Sequence, residues 1–224
     1  ENARCLRDLC YRLKRFHYQY VHYESGDERG IDVALLYDST KVKVLDSKPL
    51  RVDLNEDNTR DILYVKTLLH ERDTLHVMVC HLPSRLGGGA ATEWKRLKAK
   101  QVIQHHIDSV LHQQPQAQIV IMGDMNGEAK NDLSGMSNQM IAMERVGQGT
   151  HKYQGIWSCL DQFYVSEKMK ERCGVQIFSP EWLLEEDTKY LDYQPNRTFV
   201  GFRYHGGYPD HLPVVLKIKS SYIK

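Results

Sequence analysis

Two short polar stretches stand hard against apolar runs in this chain. Gly123-Asp124-Met125-Asn126 follows Ile119-Val120-Ile121-Met122, and Tyr208-Pro209-Asp210-His211 runs into Leu212-Pro213-Val214-Val215. Polar side chains at the ends of buried strands are held still by the scaffold, which is where sheet proteins place reactive groups. Two Asp-bearing tips and a His suit a hard divalent cation and a general base, the chemistry of metal-assisted phosphoester hydrolysis. Asp124 and Asn126 straddle one residue and share a side on a strand end, so the carboxylate can orient a water while the amide binds a phosphoryl oxygen. The same tetrapeptide is also ordinary turn chemistry. Adjacent Asp210 and His211 face opposite ways in extended backbone. One can meet a metal or phosphate while a different carboxylate orients the other; the plain alternative is an exposed His in a Gly-containing loop.

Two further stretches add reactive types. His81-Leu82-Pro83-Ser84-Arg85 follows an apolar strand, and a His and an Arg at a strand exit suit neutralisation of phosphate, the Arg by bidentate contact. Ser84 and Arg85 are candidate phosphate-binding residues on that ground, against the plainer reading of a capped loop with an exposed Arg. Gly87-Gly88-Gly89 lacks the Lys-Ser/Thr of a nucleotide P-loop. Asp161 lies inside Trp157-Ser158-Cys159-Leu160-Asp161-Gln162-Phe163-Tyr164-Val165. A carboxylate amid such a strand costs several kcal/mol unless it is paired. His211 is the natural partner. Trp94 and Trp157 read as core rings.

Periodicity supplies the scaffold. Residues 3–16 form an amphipathic helix with Leu6, Leu9, Cys10, Leu13 and Phe16 on one face. Apolar runs at 31–37, 42–45, 62–69, 75–79, 119–122, 157–165, 174–178 and 214–218 predict strands, and Glu71-Arg72-Asp73 predicts a hairpin turn. A helix from about Thr92 to Leu111 turns Trp94, Leu97, Ile103, Ile107, Val110 and Leu111 inward and a basic face (Lys95, Arg96, Lys98, Lys100) outward. Residues 127–152 read as a long loop with one short helix, and loops of that length are commonly functional. Many strands with few helices give a mixed α/β (α+β) architecture, best fitted by two β-sheets flanked by helices over residues 1–224 as one domain.

Bulk composition narrows the class. The 224 residues carry 30 Lys+Arg against 29 Asp+Glu, so no global basic field advertises tight non-specific nucleic-acid binding. Five dispersed cysteines without a C-x-x-C pair argue for free thiols over a zinc knot or a disulfide framework. No apolar run approaches the ~20 residues needed to span a bilayer. Localisation and oligomeric state stay open.

Taken in order, His81, Asp124 with Asn126, Asp161, and Asp210 with His211 resemble the endonuclease/exonuclease/phosphatase superfamily with its deoxyribonuclease-I-like fold. Arg29-Gly30-Ile31-Asp32-Val33-Ala34 and Thr59-Arg60-Asp61-Ile62-Leu63 resemble its early strands. The resemblance implies a four-layer sandwich of two mixed sheets between helices. It implies His211 as general base or phosphate contact, Asp161 as its orienting carboxylate, and Asp124 as the group that positions or deprotonates water. It further implies Asn126 and His81 on the phosphoryl oxygens, and Asp210 in a Mg²⁺ or Mn²⁺ site. Pro209 stands where the family usually has Ser. The family's first strand, with its Asn, has no counterpart here, and Glu1 is either the family's metal-binding Glu or the residue beside it. The expectation is therefore a domain lacking its first strand, with weak metal affinity and little activity.

The function so implied is a divalent-metal-dependent phosphodiesterase or phosphomonoesterase. Its phosphoester substrate could be nucleic acid, an inositol phosphate, a sphingomyelin-type phospholipid or a nucleotide-linked coenzyme. A non-catalytic binding or scaffold domain on the same fold is the alternative, disfavoured because five expected polar positions keep reactive types.

Overall fold

The computed structural model describes residues 2–55 and 57–219. Glu1, expected at or beside the metal, lies outside them. Helix α1 (Ala3–Arg12) is capped by Asn2, whose Oδ1 accepts from the amides of Arg4 and Cys5. Strands β1 (Tyr18–His22), β2 (Ala34–Asp38), β3 (Val42–Leu50), β4 (Ile62–Leu69) and β5 (Asp73–His81) follow. Next come helix α2 (Glu93–Gln113), β6 (Gln118–Asp124), β7 (Met136–Asn138), helix α3 (Ile141–Arg145), β8 (His151–Tyr153) and β9 (Ile156–Ser158). The chain continues through β10 (Asp161–Ser166), β11 (Cys173–Ile177), β12 (Leu184–Asp187) and β13 (Asp192–Pro195). It ends with β14 (Phe199–Val200), β15 (Arg203–Tyr204) and β16 (Val214–Ile218).

The central sheet has six strands in the order β3-β4-β5-β6-β10-β7. Its β5–β6 pair is parallel, joined by α2 as a crossover, and its other pairs are antiparallel. Strand alternation divides the core. Tyr64, Met78, Ile119 and Ile121 face α2, where Ile103 and Ile107 are fully buried. Each such side chain contributes about 1.5–3 kcal/mol by leaving water. Leu75, Val77, Val120 and Val165 point the other way, onto Leu35 of β2 and onto Cys173 and Leu216. The second layer is thus built from two antiparallel ladders, β1–β2 and β11–β16. Helix, sheet and second layer give the α+β, deoxyribonuclease-I-like architecture expected. Cys80 and Cys159 are buried, and all five cysteines are free thiols. No helix among the described residues is long and apolar enough to cross a membrane.

Several elements depart from the periodicity. The predicted 157–165 strand is two strands, because Ile156–Ser158 pairs back on β8 while Asp161–Ser166 pairs with β6, and the chain turns between these partners. Asp161 consequently opens a strand; it does not sit within one. Trp94 and Leu97 are exposed while Arg96 is buried. The loop before α2 folds over Arg96, whose guanidinium donates to the carbonyls of Pro83, Ser84 and Gly89. Helix α1 is shorter than predicted, and of its apolar face only Leu6 is buried. The stretch read as a loop adds β7 at the sheet edge, and 178–214 carries two hairpins that no hydrophobic period announces.

Gly123 is the tightest point of the sheet. Its φ is +138°, and a Cβ there would lie 1.8 Å from the Cys80 carbonyl oxygen. Backbone against backbone cannot yield cheaply. Gly123→Ala is expected to destabilise the fold by roughly 3 kcal/mol or more. Chemical denaturation of both proteins checks this, and an unchanged midpoint refutes the close approach.

Candidate active site

Register brings three of the expected residues into one row. His81 pairs with Asp124 across the parallel β5–β6 ladder, and Asp124 pairs with Asp161 across β6–β10. Each ends a row of side chains that faces the second layer: Leu75-Val77-Val79, Val120-Met122 and Phe163-Val165. The row therefore opens at one end of the seam between the layers. His211, from the loop that leads into β16, reaches the same end. Its Nδ1 lies 2.7 Å from Asp161 Oδ2. That is the pairing expected from the sequence.

Asp124 is held on several sides. Its Oδ1 accepts from the Asn126 amide at 2.7 Å, and its Oδ2 lies 3.2 Å from Asn126 Nδ2 and 3.5 Å from His81 Nε2. Asn126 adopts φ +47°, which folds its side chain back beneath the strand end, where Nδ2 also donates to the Leu82 carbonyl. Both its amide hydrogens are engaged within the protein. Arg85 lies along the rim, with Nε donating to the Asn126 carbonyl, and Ser84 is exposed beside it. Asp210 is exposed at the mouth. His81, Ser84, Arg85, Asp124, Asn126, Asp161, Asp210 and His211 all line one cleft of about 1440 Å³.

The charges in this cleft push one another. Burial and the neighbouring Asp161 charge push the Asp124 carboxyl up to about 6, against the opposing pull of His211 and Arg60. Burial would lower His211, but the hydrogen bond and charge of Asp161, with Asp124 and Asp210, carry it above the ordinary imidazole range. His81 is lowered to about 4 by burial, then by the charges of Arg60 and His211. Crowded carboxylates, one of them pushed upward, are the surplus negative charge that a hard cation relieves. Mg²⁺ needs only one or two protein carboxylates, the rest of its shell being water and substrate oxygen. Asp210, exposed beside the row, fits that sparse requirement.

Three residues of the site escaped the sequence reading. Arg60 is buried beneath the row, donating to the carbonyls of His81 and Leu82 and to Asp27 at 2.9 Å. Arg29 lines the cleft, its guanidinium forked on the same Asp27. His151 stands beside His211, the ring centroids 4.7 Å apart. Arg60 could have been suspected from Arg60-Asp61 opening an apolar strand; nothing in the local sequence marks His151.

The sequence profile of the endonuclease/exonuclease/phosphatase family matches residues 1–220. The chain belongs to that family of phosphoester hydrolases. Nothing among curated proteins matches it. Among solved structures, truncated Caenorhabditis elegans TDP2 is similar over 98% of this chain and 82% of its own, at 13% identity and TM-score 0.67. The human Nocturnin catalytic domain with bound sulfate anion is similar over 93% of this chain and 73% of its own, at 17% identity and TM-score 0.59. D. rerio TDP2 complexed with single strand DNA product is similar over 97% and 82%, at 14% identity and TM-score 0.58. These likenesses establish the shared fold.

The Asp124 shift has a stability consequence. A carboxyl raised on folding binds more protons folded than unfolded between about pH 4 and 6. Its ionisation therefore carries no penalty below that window and one of about 3 kcal/mol above it. In the metal-free protein, Asp124→Asn should stabilise at pH above that window and leave stability unchanged below it. Thermal unfolding across pH checks the sign. In Asp161→Asn the His211 pKa should fall, which NMR titration of its ring protons reads directly.

Proposed function

We propose that this chain is a divalent-metal-dependent phosphoester hydrolase acting by water attack on phosphorus, with Asp161, His211, Asp124 and His81 as its working row. The 2.7 Å Asp161–His211 pair facing Asp124 across the strand ends carries this reading. With Nδ1 donating to Asp161, His211 presents Nε2 to the cleft. Its raised pKa keeps it partly protonated near neutrality, which suits a contact to a phosphoryl oxygen. Asp124 is ionised there yet basic for a carboxylate, which suits it to take the proton of the attacking water. Neutral His81 steers that water or a phosphoryl oxygen. Asn126 positions Asp124 and does not contact phosphate, because both its amide hydrogens are spent on Asp124 and the Leu82 carbonyl, while Ser84 and Arg85 bind flanking oxygens from the rim. Asp210 would hold Mg²⁺ or Mn²⁺, which neutralises charge on the phosphate when bound.

The substrate we propose is a phosphodiester of single-stranded nucleic acid. The cleft exceeds the roughly 300–1,000 Å³ of small-ligand sites. Its lining balances Arg29, Arg60, Arg85, Arg96, Lys100 and Lys130 against Glu93, Asp124, Glu128, Asp132, Asp161 and Asp210, so contact to a nucleic-acid phosphate falls to Arg85 at the rim, whose Nε is spent on the Asn126 carbonyl. The D. rerio relative's complex with single strand DNA product supports the same choice.

Hydrolysis of bis-p-nitrophenyl phosphate, p-nitrophenyl phosphate and a single-stranded oligonucleotide, with Mg²⁺, Mn²⁺ or EDTA, tests the reading. Metal-dependent turnover should be strongest on the diesters. His211→Ala, which removes a donor to the phosphoryl oxygen, should lower kcat/KM by about 10²–10³-fold. Activity that survives both EDTA and His211→Ala overturns the assignment.

A further inference from the structure

His151 has no part in the proposed hydrolysis, yet the fold places it with care. Thr150 is fully buried and accepts the Leu212 amide on its carbonyl at 2.7 Å, which ties the strand start holding His151 to the loop holding His211. The Thr150 Oγ1 also accepts from the Asp161 amide at 3.2 Å. The neighbours of this knot, His151 and His211, are consequently side by side. One nitrogen from each and a carboxylate oxygen of Asp210 lie within 4.8 Å of one another.

We infer that His151, Asp210 and His211 form a site for a borderline-soft divalent cation, of which Zn²⁺ is the type. Two imidazoles and a carboxylate match the preference of zinc, which takes nitrogen and oxygen at about 2.0–2.2 Å and leaves a fourth position to water or substrate. The atoms must draw in to about 3.3 Å for that bond length, a movement open to an exposed carboxylate and to side chains at a loop and a strand end. Asp161 supplies the outer partner such sites have. It holds His211 Nδ1 and so leaves Nε2 as the ligand atom, the carboxylate–histidine–metal arrangement. Magnesium, which favours oxygen, is the wrong ion for this donor set. His22, Glu24 and Asp32 also converge, but there both Asp32 oxygens are satisfied, Oδ1 by the Ser25 amide and hydroxyl and Oδ2 by His22. One consequence rests on the hydrolase reading: zinc on Nε2 takes His211 away from phosphate, so the two uses of the residue exclude each other.

Calorimetric titration of Zn²⁺ into the metal-stripped chain, with Co²⁺ absorption to report coordination, tests the site without reference to turnover. One equivalent should bind per chain. Asp161→Asn should weaken binding by roughly 10–100-fold, as loss of an outer partner does, and His151→Phe or Asp210→Asn by more. His22→Asn should leave it unchanged. Absence of binding, full affinity in folded His151→Phe and Asp210→Asn proteins, or loss of the equivalent in His22→Asn would each overturn the proposal.

Discussion

The close parallel approach of β5 and β6 at Cys80 and Gly123 is the constraint from which the site follows. A residue with a side chain at 123 would force the strands apart at the point where they deliver His81 and Asp124. Because the strands run parallel, both end at the same level, and the antiparallel β10 begins there. Three reactive residues thus share a level through register alone. Arg60 closes the arrangement from below, taking up the carbonyls that β5 leaves free as it exits the sheet. A guanidinium buried this deeply is stable because Asp27 neutralises it, so the 26–30 turn is part of the site's foundation.

Electrostatics follows from where this row opens. The seam between the layers is apolar along most of its length and meets water only at its end, so groups there lose solvent without losing one another. Desolvation drives Asp124 up and His81 down, while the direct pair with Asp161 keeps His211 high. The site therefore holds a carboxylate made more basic, one imidazole kept neutral and another kept protonated more readily than usual, all around the same space. That division of protonation states is what proton transfer near neutral pH requires.

Two strands were legible from their apolar runs: 62–69 coincides with β4, buried on both faces, and 214–218 with β16, which turns Val214 and Leu216 inward and leaves Val215 exposed. The polar tips that line the cleft were legible for a related reason, since polar residues stand out where an apolar run stops. What stayed hidden depends on pairing at long range. β7 is fixed by side-chain amides, Asn138 to Gln162 and Asn131 to the Asn138 backbone, and such contacts leave no period. Arg96 sits on the inner face of α2 because a loop supplies carbonyls to it, a fact that helical spacing cannot express. Asp161 was expected inside a strand and is found at the start of one, because choice of partner strand, not local composition, decides where the chain turns. Its pairing with His211 was nonetheless readable, since a carboxylate in apolar surroundings demands a partner wherever the strand begins.

Thr150 shows why His151 belongs to this last group. Its carbonyl and hydroxyl bind the two segments that carry His211 and Asp161, so the residue next to it is carried to the mouth of the cleft whatever its own identity. Position here is dictated by backbone, and chemistry is then set by which side chain occupies it. An imidazole at that place converts an oxygen-rich neighbourhood suited to a hard cation into a mixed nitrogen and oxygen one. On the two proposals Asp210 and His211 stand at the boundary of both coordination chemistries, and the ion that reaches them would decide whether the His211 Nε2 meets a phosphate or a metal.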